Sequence, residues 1–168
     1  GELMMGMLPF IDFEKISKLP PKFFMGFSDN TNLTFTLTTI CDVASIYGTS
    51  IGHFAYDVID ENCLDNLLLM KKEKLSFDSY KFYDGENSKV KDKKPLQPTI
   101  YLDEVKWESL SNKSEEFEGR IIGGCIDILV SLCGTKFDQV SSFIEKYKDD
   151  GIIWYFDNCE LNSCGLYR

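Results

Sequence analysis

An apolar run that breaks on Gly26-Phe27-Ser28-Asp29 and gives way at once to a helically spaced segment is the feature that most limits how this chain can fold. Lys22 to Phe27 is a compact aromatic run suited to a strand buried on both faces, and it follows a short helical segment, Ile11 to Leu19, that Pro20-Pro21 ends. Within residues 29–41, Leu33, Leu37 and Ile40 recur at helical spacing, and Val43 to Tyr47 reads as a second short strand closed by Gly48. Strand, turn, helix, strand is the grammar of a parallel α/β sheet.

Further along, Glu61 to Lys74 predicts another helix, with Leu64, Leu67 and Leu68 on one stripe and a lysine-rich end that suits the helix dipole. Ser76 to Gln97 shifts to Ser, Asp, Gly, Asn and Lys around Tyr80, Phe82 and Tyr83, the composition of a linker or hairpin region. Val105 to Leu110 and Phe117 to Ile122 then read as strands. Gly123-Gly124 leads into a helix through Ile126, Leu129, Val130 and Cys133, Phe143 to Lys148 is a short helix, and Gly151 to Phe156 is a buried strand with Asp157 at its polar end.

Charge narrows the function classes. With 18 Lys+Arg against 27 Asp+Glu and a net charge of -9, the chain has no basic face with which to neutralise phosphates or anionic lipid, so neither nucleic acid nor a membrane surface is expected as a partner. No window approaches the roughly 18 consecutive apolar residues of a membrane span, and GELMMGMLPF lacks the features of a signal peptide, so the expected location is cytoplasmic. The six cysteines, at positions 41, 63, 125, 133, 159 and 164, contain no Cys-x-x-Cys pair, so a metal site built on them is not expected. The 43% hydrophobic content is enough to bury a core.

A nucleophilic serine needs its hydroxyl exposed on a rigid turn, with the N–H groups of the following helix aimed where an oxyanion forms. A buried strand ending in Gly-Phe-Ser-Asp supplies that arrangement at Ser28, where Gly26 leaves room beside the turn and the Asp29 N–H sits at the positive end of the helix. The same geometry suits a helix cap made by Ser28, Asp29 or Asn30, a role worth about 1 kcal/mol. The single histidine, His53, follows the end of the second strand.

Three segments together carry a family resemblance. PPKFFMGFSDNTNLTFTL resembles the block Pro-Lys-x-(Phe/Ile)-(Ile/Met)-Gly-(Phe/Tyr)-Ser-Asp-(Ile/Asn)-Thr of the LD-carboxypeptidase family, bacterial serine peptidases that include muramoyltetrapeptide carboxypeptidases and microcin C self-immunity proteins. EGRIIGGCIDILVSLCGT is similar to the family's Gly-Arg-(Ile/Leu)-Ile-Gly-Gly block, and DGIIWYFDNCEL looks like its acid-bearing strand. Order and approximate spacing agree over nearly the whole chain.

The resemblance implies an α/β fold that is part of a parallel α/β sandwich domain carrying a serine elbow, followed by part of a smaller mixed α/β C-terminal domain. Residues 1–75 would be the C-terminal half of the nucleophile domain, 76–110 a linker or hairpin region, and 111–168 the beginning of the C-terminal domain. Ser28 falls on the family nucleophile, the Asp29 N–H on one oxyanion donor, and the other donor on a Gly-Gly loop at Gly1 or just before it. Asp157 falls on the family's acid, where the family has Glu; its shorter side chain orients an imidazole only if the backbone sits closer, and Glu160 is the nearby alternative. The family histidine lies downstream of the acid, beyond Arg168, so the 168-residue chain alone is expected to be inactive.

The implied activity is hydrolysis of the amide between an L-centre and a terminal D-amino acid in murein tetrapeptides, as in peptidoglycan recycling, by an enzyme that needs no cofactor and forms a homodimer. Two rivals accompany it. One is a self-immunity-type peptidase cleaving an aminoacyl-nucleotide amide, for which Trp107 is the residue available to stack on a base. The other is a catalytically silent binding protein of the same fold. A piece of such a domain is also expected to expose apolar sheet edges.

Overall fold

A Thr-rich helix that its composition disfavours lies at the centre of the fold. α2, Thr31–Cys41, contains five threonines, residues of modest helix propensity, and it buries Thr31, Thr34, Thr36 and Thr39 along with Phe35, Leu37 and Cys41. Some of the threonines bond back into the helix: the Thr36 hydroxyl donates to the Asn32 carbonyl at 2.6 Å, Thr38 to Thr34 at 3.0 Å and Thr39 to Phe35 at 3.0 Å, whereas Thr31 Oγ1 accepts the Cys125 N–H and the buried Thr34 hydroxyl has no partner among the described residues. Packing on both sides, rather than propensity, stabilises such a helix. On one side Phe35 joins Leu8, Ile122, Leu129, Leu132 and Phe143 in an apolar cluster, and on the other Leu37 and Cys41 pack with Val43, Phe24 and Ile16.

These contacts come from a computed structural model of the chain, which describes residues 3–55, 61–69, 71, 74, 76, 78–86 and 100–167. It divides into two compact units, one made of Gly1–Thr49 with Phe117–Arg168 and the other of Ser50–Glu116.

The first unit opens with a 3-10 turn, Met4–Phe10, and a one-turn helix α1, Phe13–Ser17, whose first turn is capped by the Asp12 carboxylate accepting the Lys15 N–H at 2.9 Å. Strand β1, Met25–Gly26, pairs parallel with β2, Ile46–Tyr47. A 3-10 turn, Ser28–Asn30, leads from β1 into α2, which ends at Asp42 in the left-handed conformation, φ 60°. β5, Arg120–Cys125, and β6, Ile152–Asp157, form a second parallel pair in register from Arg120↔Ile152 to Cys125↔Asp157, crossed over by α4, Ile126–Leu132, and α5, Val140–Lys146. A short helix α6, Ser163–Leu166, follows.

The second unit holds a 3-10 turn, Ile51–Ala55, a helix α3, Glu61–Leu69, and an antiparallel pair β3, Phe82–Tyr83, with β4, Asp103–Glu104. The Tyr80 hydroxyl donates to Asp65 there at 2.7 Å.

The α/β class expected from the sequence is therefore present, with parallel pairing in both ladders of the first unit. Several boundaries differ. The expected strand Lys22 to Phe27 contracts to Met25–Gly26, because its partner is equally short; flanking bonds from Ile46 N–H to the Phe24 carbonyl and from Gly48 N–H to the Gly26 carbonyl mark the ends of pairing. It is not buried on both faces, since Phe23 and Phe27 are exposed. Val105 to Leu110 forms no strand: its ladder stops at the bond from the Val105 N–H to the Lys81 carbonyl. The strand expected from Phe117 to Ile122 starts instead at Arg120, whose N–H bonds the Gly151 carbonyl at 2.9 Å, and continues through both glycines to Cys125. Strand β6 is only partly covered, with Trp154 and Phe156 exposed. Of the expected 61–74 helix, α3 accounts for Glu61–Leu69, Lys71 lies in a turn and Lys74 in a bend; residues 70, 72 and 73 and most of the 76–97 region lie outside the described residues.

Among the described residues no helix is long and apolar enough to cross a membrane, and no cluster of His, Cys, Asp or Glu could hold a metal ion. All six cysteines are free thiols.

Candidate active site

The carboxyl ends of β1, β2, β5 and β6 converge, which is where parallel α/β architectures place their chemistry. At the end of β1 the chain turns sharply through Ser28, whose φ of 56° is a conformation that residues with a Cβ seldom adopt. Gly26 permits the turn: a Cβ there would stand 2.6 Å from the Asn30 side chain.

Ser28 is half-buried, and among the described residues nothing hydrogen-bonds to its hydroxyl. The capping alternative finds no bond to rest on, since neither segment starting at Ser28 nor the helix starting at Thr31 has a side-chain cap. Asn30 instead turns back to donate from Nδ2 to the Phe27 carbonyl at 3.2 Å. The Asp29 carboxylate, 7% exposed, accepts the Met4 N–H and the Asn32 amide, each at 3.1 Å. Its side chain thereby braces the turn, while its backbone N–H occupies the first turn of the helical segment, where an anion is favoured.

Asp157 ends β6 and reaches the same place through a tyrosine. The Tyr47 hydroxyl, at the end of β2, accepts the Ser28 N–H at 2.9 Å and donates to Asp157 Oδ1 at 2.6 Å. Its ring lies 5.3 Å from that of Tyr155 at a 57° tilt. Burial, and then the bond to Asp157, push the Tyr47 phenol up to about 12, so it remains a protonated donor at neutral pH.

Gly123 and Gly124 bring β5 up to this cluster. A Cβ on Gly124 would stand 2.6 Å from Thr31 Cγ2, and the next residue's N–H, that of Cys125, bonds Thr31 Oγ1 at 3.0 Å. The glycines thus serve close approach of a strand to a helix terminus and to β6. Both lie within β5, which runs directly into α4 at Ile126.

Glu160 lies beyond the end of β6 in a loop whose N–H groups at Cys159, Glu160 and Leu161 all bond the Asp127 carboxylate at 3.0 Å. Those bonds, led by the one from Cys159, hold Asp127 below the usual carboxylate range. Asp127 also accepts from Cys125 Sγ, whose thiol burial pushes up to about 11, unsuited to a thiolate nucleophile.

Trp107 and His53 belong to the second unit. Trp107 is 83% exposed, and His53 Nδ1 lies 3.0 Å from Ser50 Oγ. Gly1 lies outside the described residues.

The structure therefore brings Ser28, Asp29 and Asp157 together, and it adds Tyr47 and Thr31, which sequence reasoning passed over. Tyr47 could have been found from its place at the carboxyl end of a parallel strand. Beside the cluster, a cleft of about 760 Å³ runs between α2, β5 and α5, lined by Thr34, Thr38, Ser45, Tyr47, Tyr147 and Tyr155 among others.

Residues 1–48 match the LD-carboxypeptidase N-terminal domain family. Among solved structures, the chain is similar to MccF in complex with glutamyl sulfamoyl guanosine, at 20% identity and a TM-score of 0.63, over 92% of this chain and 44% of that one. It is also similar to the microcin C7 self-immunity protein MccF in an inactive-mutant apo state, at 19% identity and a TM-score of 0.65, over 95% of this chain and 46% of that one. A complex of a mutant MccF with adenosine monophosphate matches at 21% identity and a TM-score of 0.63, over 92% of this chain. At these identities the likeness is one of fold, and the chain spans less than half the length of those structures. No curated protein matches the sequence.

Proposed function

We propose, from the premise that residues 1–48 belong to the LD-carboxypeptidase N-terminal domain family, that the protein carrying this chain is a serine peptidase with Ser28 as its nucleophile. The observation that carries the reading is the elbow itself: a serine at φ 56°, between a parallel strand and a buried helix, with a hydroxyl engaged by none of the described residues. In this reading Ser28 Oγ attacks an amide carbonyl, the Asp29 N–H donates to the oxyanion, and Asp157 orients the histidine that takes the serine's proton and delivers it to the leaving amine. A Gly-Gly loop at or before Gly1 supplies the second oxyanion donor, and Glu160 is the alternative acid. The chain's one histidine, His53, precedes the acid, so the activity is proposed for a protein that also carries a histidine downstream of it.

The substrate proposed is a murein tetrapeptide, cut between an L-centre and a terminal D-alanine, in the cytoplasm and by a homodimer. The division into 1–75, 76–110 and 111–168 belongs to the same reading and concerns the domains of the whole protein. A second reading, an aminoacyl-nucleotide amide as substrate, is favoured by the exposed Trp107, a surface on which a base can stack. Incubation of the full gene product with a murein tetrapeptide tests both. Release of D-alanine that Ser28→Ala abolishes supports the carboxypeptidase, and cleavage of an aminoacyl-nucleotide alone supports the second reading. Cleavage of neither by a folded protein leaves a binding protein of this fold.

A further inference from the structure

Tyr47 joins two groups that catalysis would need to keep in fixed relation, and nothing in the family reading gives it a task. Its hydroxyl is both acceptor and donor: it takes the Ser28 N–H at 2.9 Å and gives its proton to Asp157 Oδ1 at 2.6 Å. The first bond holds a backbone at φ 56°, which costs energy and relaxes unless the surroundings over-determine it. The second occupies one oxygen of the carboxylate and leaves Oδ2 as the oxygen available to an imidazole. The two bonded groups come from different strands, Ser28 just after β1 and Asp157 at the end of β6, and Asp157 lies 110 positions beyond Tyr47, so no local turn could fix their spacing. The ring is set by Tyr155 at 5.3 Å and by the wall of the cleft it lines, so the hydroxyl is delivered from a braced position.

We propose that Tyr47 is a positioning residue of the hydrolytic site, clamping the nucleophile turn through the Ser28 N–H and setting the acid through Asp157 Oδ1. This rests on the serine-peptidase reading for its catalytic consequence and on geometry alone for the clamp. It also accounts for a short acid. An aspartate at the end of β6 needs a partner that spans the gap to the elbow, and a phenol reaching from β2 supplies it. With the phenol bonded to its backbone N–H, Ser28 has no free amide to offer an oxyanion, which leaves the Asp29 N–H as the donor at this turn.

The test uses the full gene product and Tyr47→Phe, which removes one oxygen and keeps the ring. With a murein tetrapeptide, kcat should fall on the order of 10- to 100-fold while KM stays within about twofold, the loss expected for one bond to a charged group. Because part of Tyr47's effect passes through Asp157, the Tyr47→Phe/Asp157→Asn double variant should lose clearly less than the product of the two single losses, the remainder being the Ser28 clamp; fully multiplied losses would overturn the link to Asp157. A Tyr47→Phe enzyme as fast as the wild type would overturn the proposal and leave the peptidase reading intact.

If the wild type cleaves neither the murein tetrapeptide nor an aminoacyl-nucleotide, that reading fails, and the clamp is judged by Ser28 amide hydrogen exchange. Exchange at least about tenfold faster in Tyr47→Phe supports the clamp, since the amide has lost its acceptor, and unchanged exchange overturns it. Should Tyr47→Phe not fold, Asp157→Asn keeps Tyr47 in place. A displaced Tyr47 Cζ resonance then supports the bond, and an unmoved one overturns it.

Discussion

Gly123→Ala is the substitution that most directly probes how the site is assembled. A Cβ at Gly123 would stand 1.8 Å from the Tyr155 carbonyl oxygen and 2.8 Å from its carbon, and the residue holds φ 154°. The obstacle is backbone in the paired strand, so no rotamer change can relieve it; β5 and β6 must separate at the Gly123↔Tyr155 rung. Gly134 provides the control. It too has positive φ, 72°, but a Cβ there meets nothing within 4 Å. The backbone cost of Ala at positive φ is about 1–2 kcal/mol, and forced separation of packed atoms adds about 1–3 kcal/mol. Urea unfolding should therefore show Gly134→Ala destabilised by about 1–2 kcal/mol and Gly123→Ala by about 2–5 kcal/mol. Because Asp157 lies two residues past Tyr155, any hydrolytic activity should fall with the larger loss and not with the smaller. Equal destabilisation of the two variants would refute the reasoning, since it would mean that the close approach at Gly123 carries no energy.

Two further expectations follow from the same geometry. Ser28→Gly should abolish hydrolysis yet stabilise the fold by up to about 1 kcal/mol, as the relief of positive φ exceeds the added entropy of an unfolded glycine; Ser28→Ala, which keeps the Cβ, should be near neutral in thermal unfolding. The Asp42 carboxyl is held below its ordinary range by the bond from Lys146 at 2.6 Å and then by the Tyr147 hydroxyl. A depressed carboxyl contributes stability that is present above the ordinary value of about 3.9 and is lost as pH falls through the folded pKa. Asp42→Asn should flatten that acid-side slope slightly and in a salt-dependent way, both partners being about half exposed; an unchanged slope between pH 2 and 5 would rule the pair out as its source.

How much of this was readable from the chain depended on range. The elbow was legible because Gly26, Ser28 and Asp29 are adjacent and their constraint is local. The limits of β1 and β5 were not, because a strand ends where its partner's rungs end, and the partners, Tyr47 and Gly151, lie elsewhere in the sequence. Helix α2 is legible from Leu33, Leu37 and Ile40, but the burial of its threonines is not, because it depends on packing against residues far along the chain and on bonds such as those of Thr36 and Thr39 back into the helix. Gly123-Gly124 is legible as the lead into α4, but the close approach to Tyr155 and Thr31 that requires both glycines has no trace in neighbouring residues. Tyr47 was missed for the same cause: its acceptor is 110 residues away.

The interrupted course of the first unit has a consequence for how the protein is made and varied. Its two segments, Gly1–Thr49 and Phe117–Arg168, are separated in sequence by the whole of the second unit. During synthesis the elbow and α2 emerge long before the strands that complete their packing, so Phe35 and the Thr31 hydroxyl must wait for Ile122 and Cys125. For the first unit, closure depends weakly on the length of chain it encloses, each doubling adding only about 0.6 kcal/mol. A change of length between Ser50 and Glu116 should therefore cost the first unit far less than a single added methyl at Gly123.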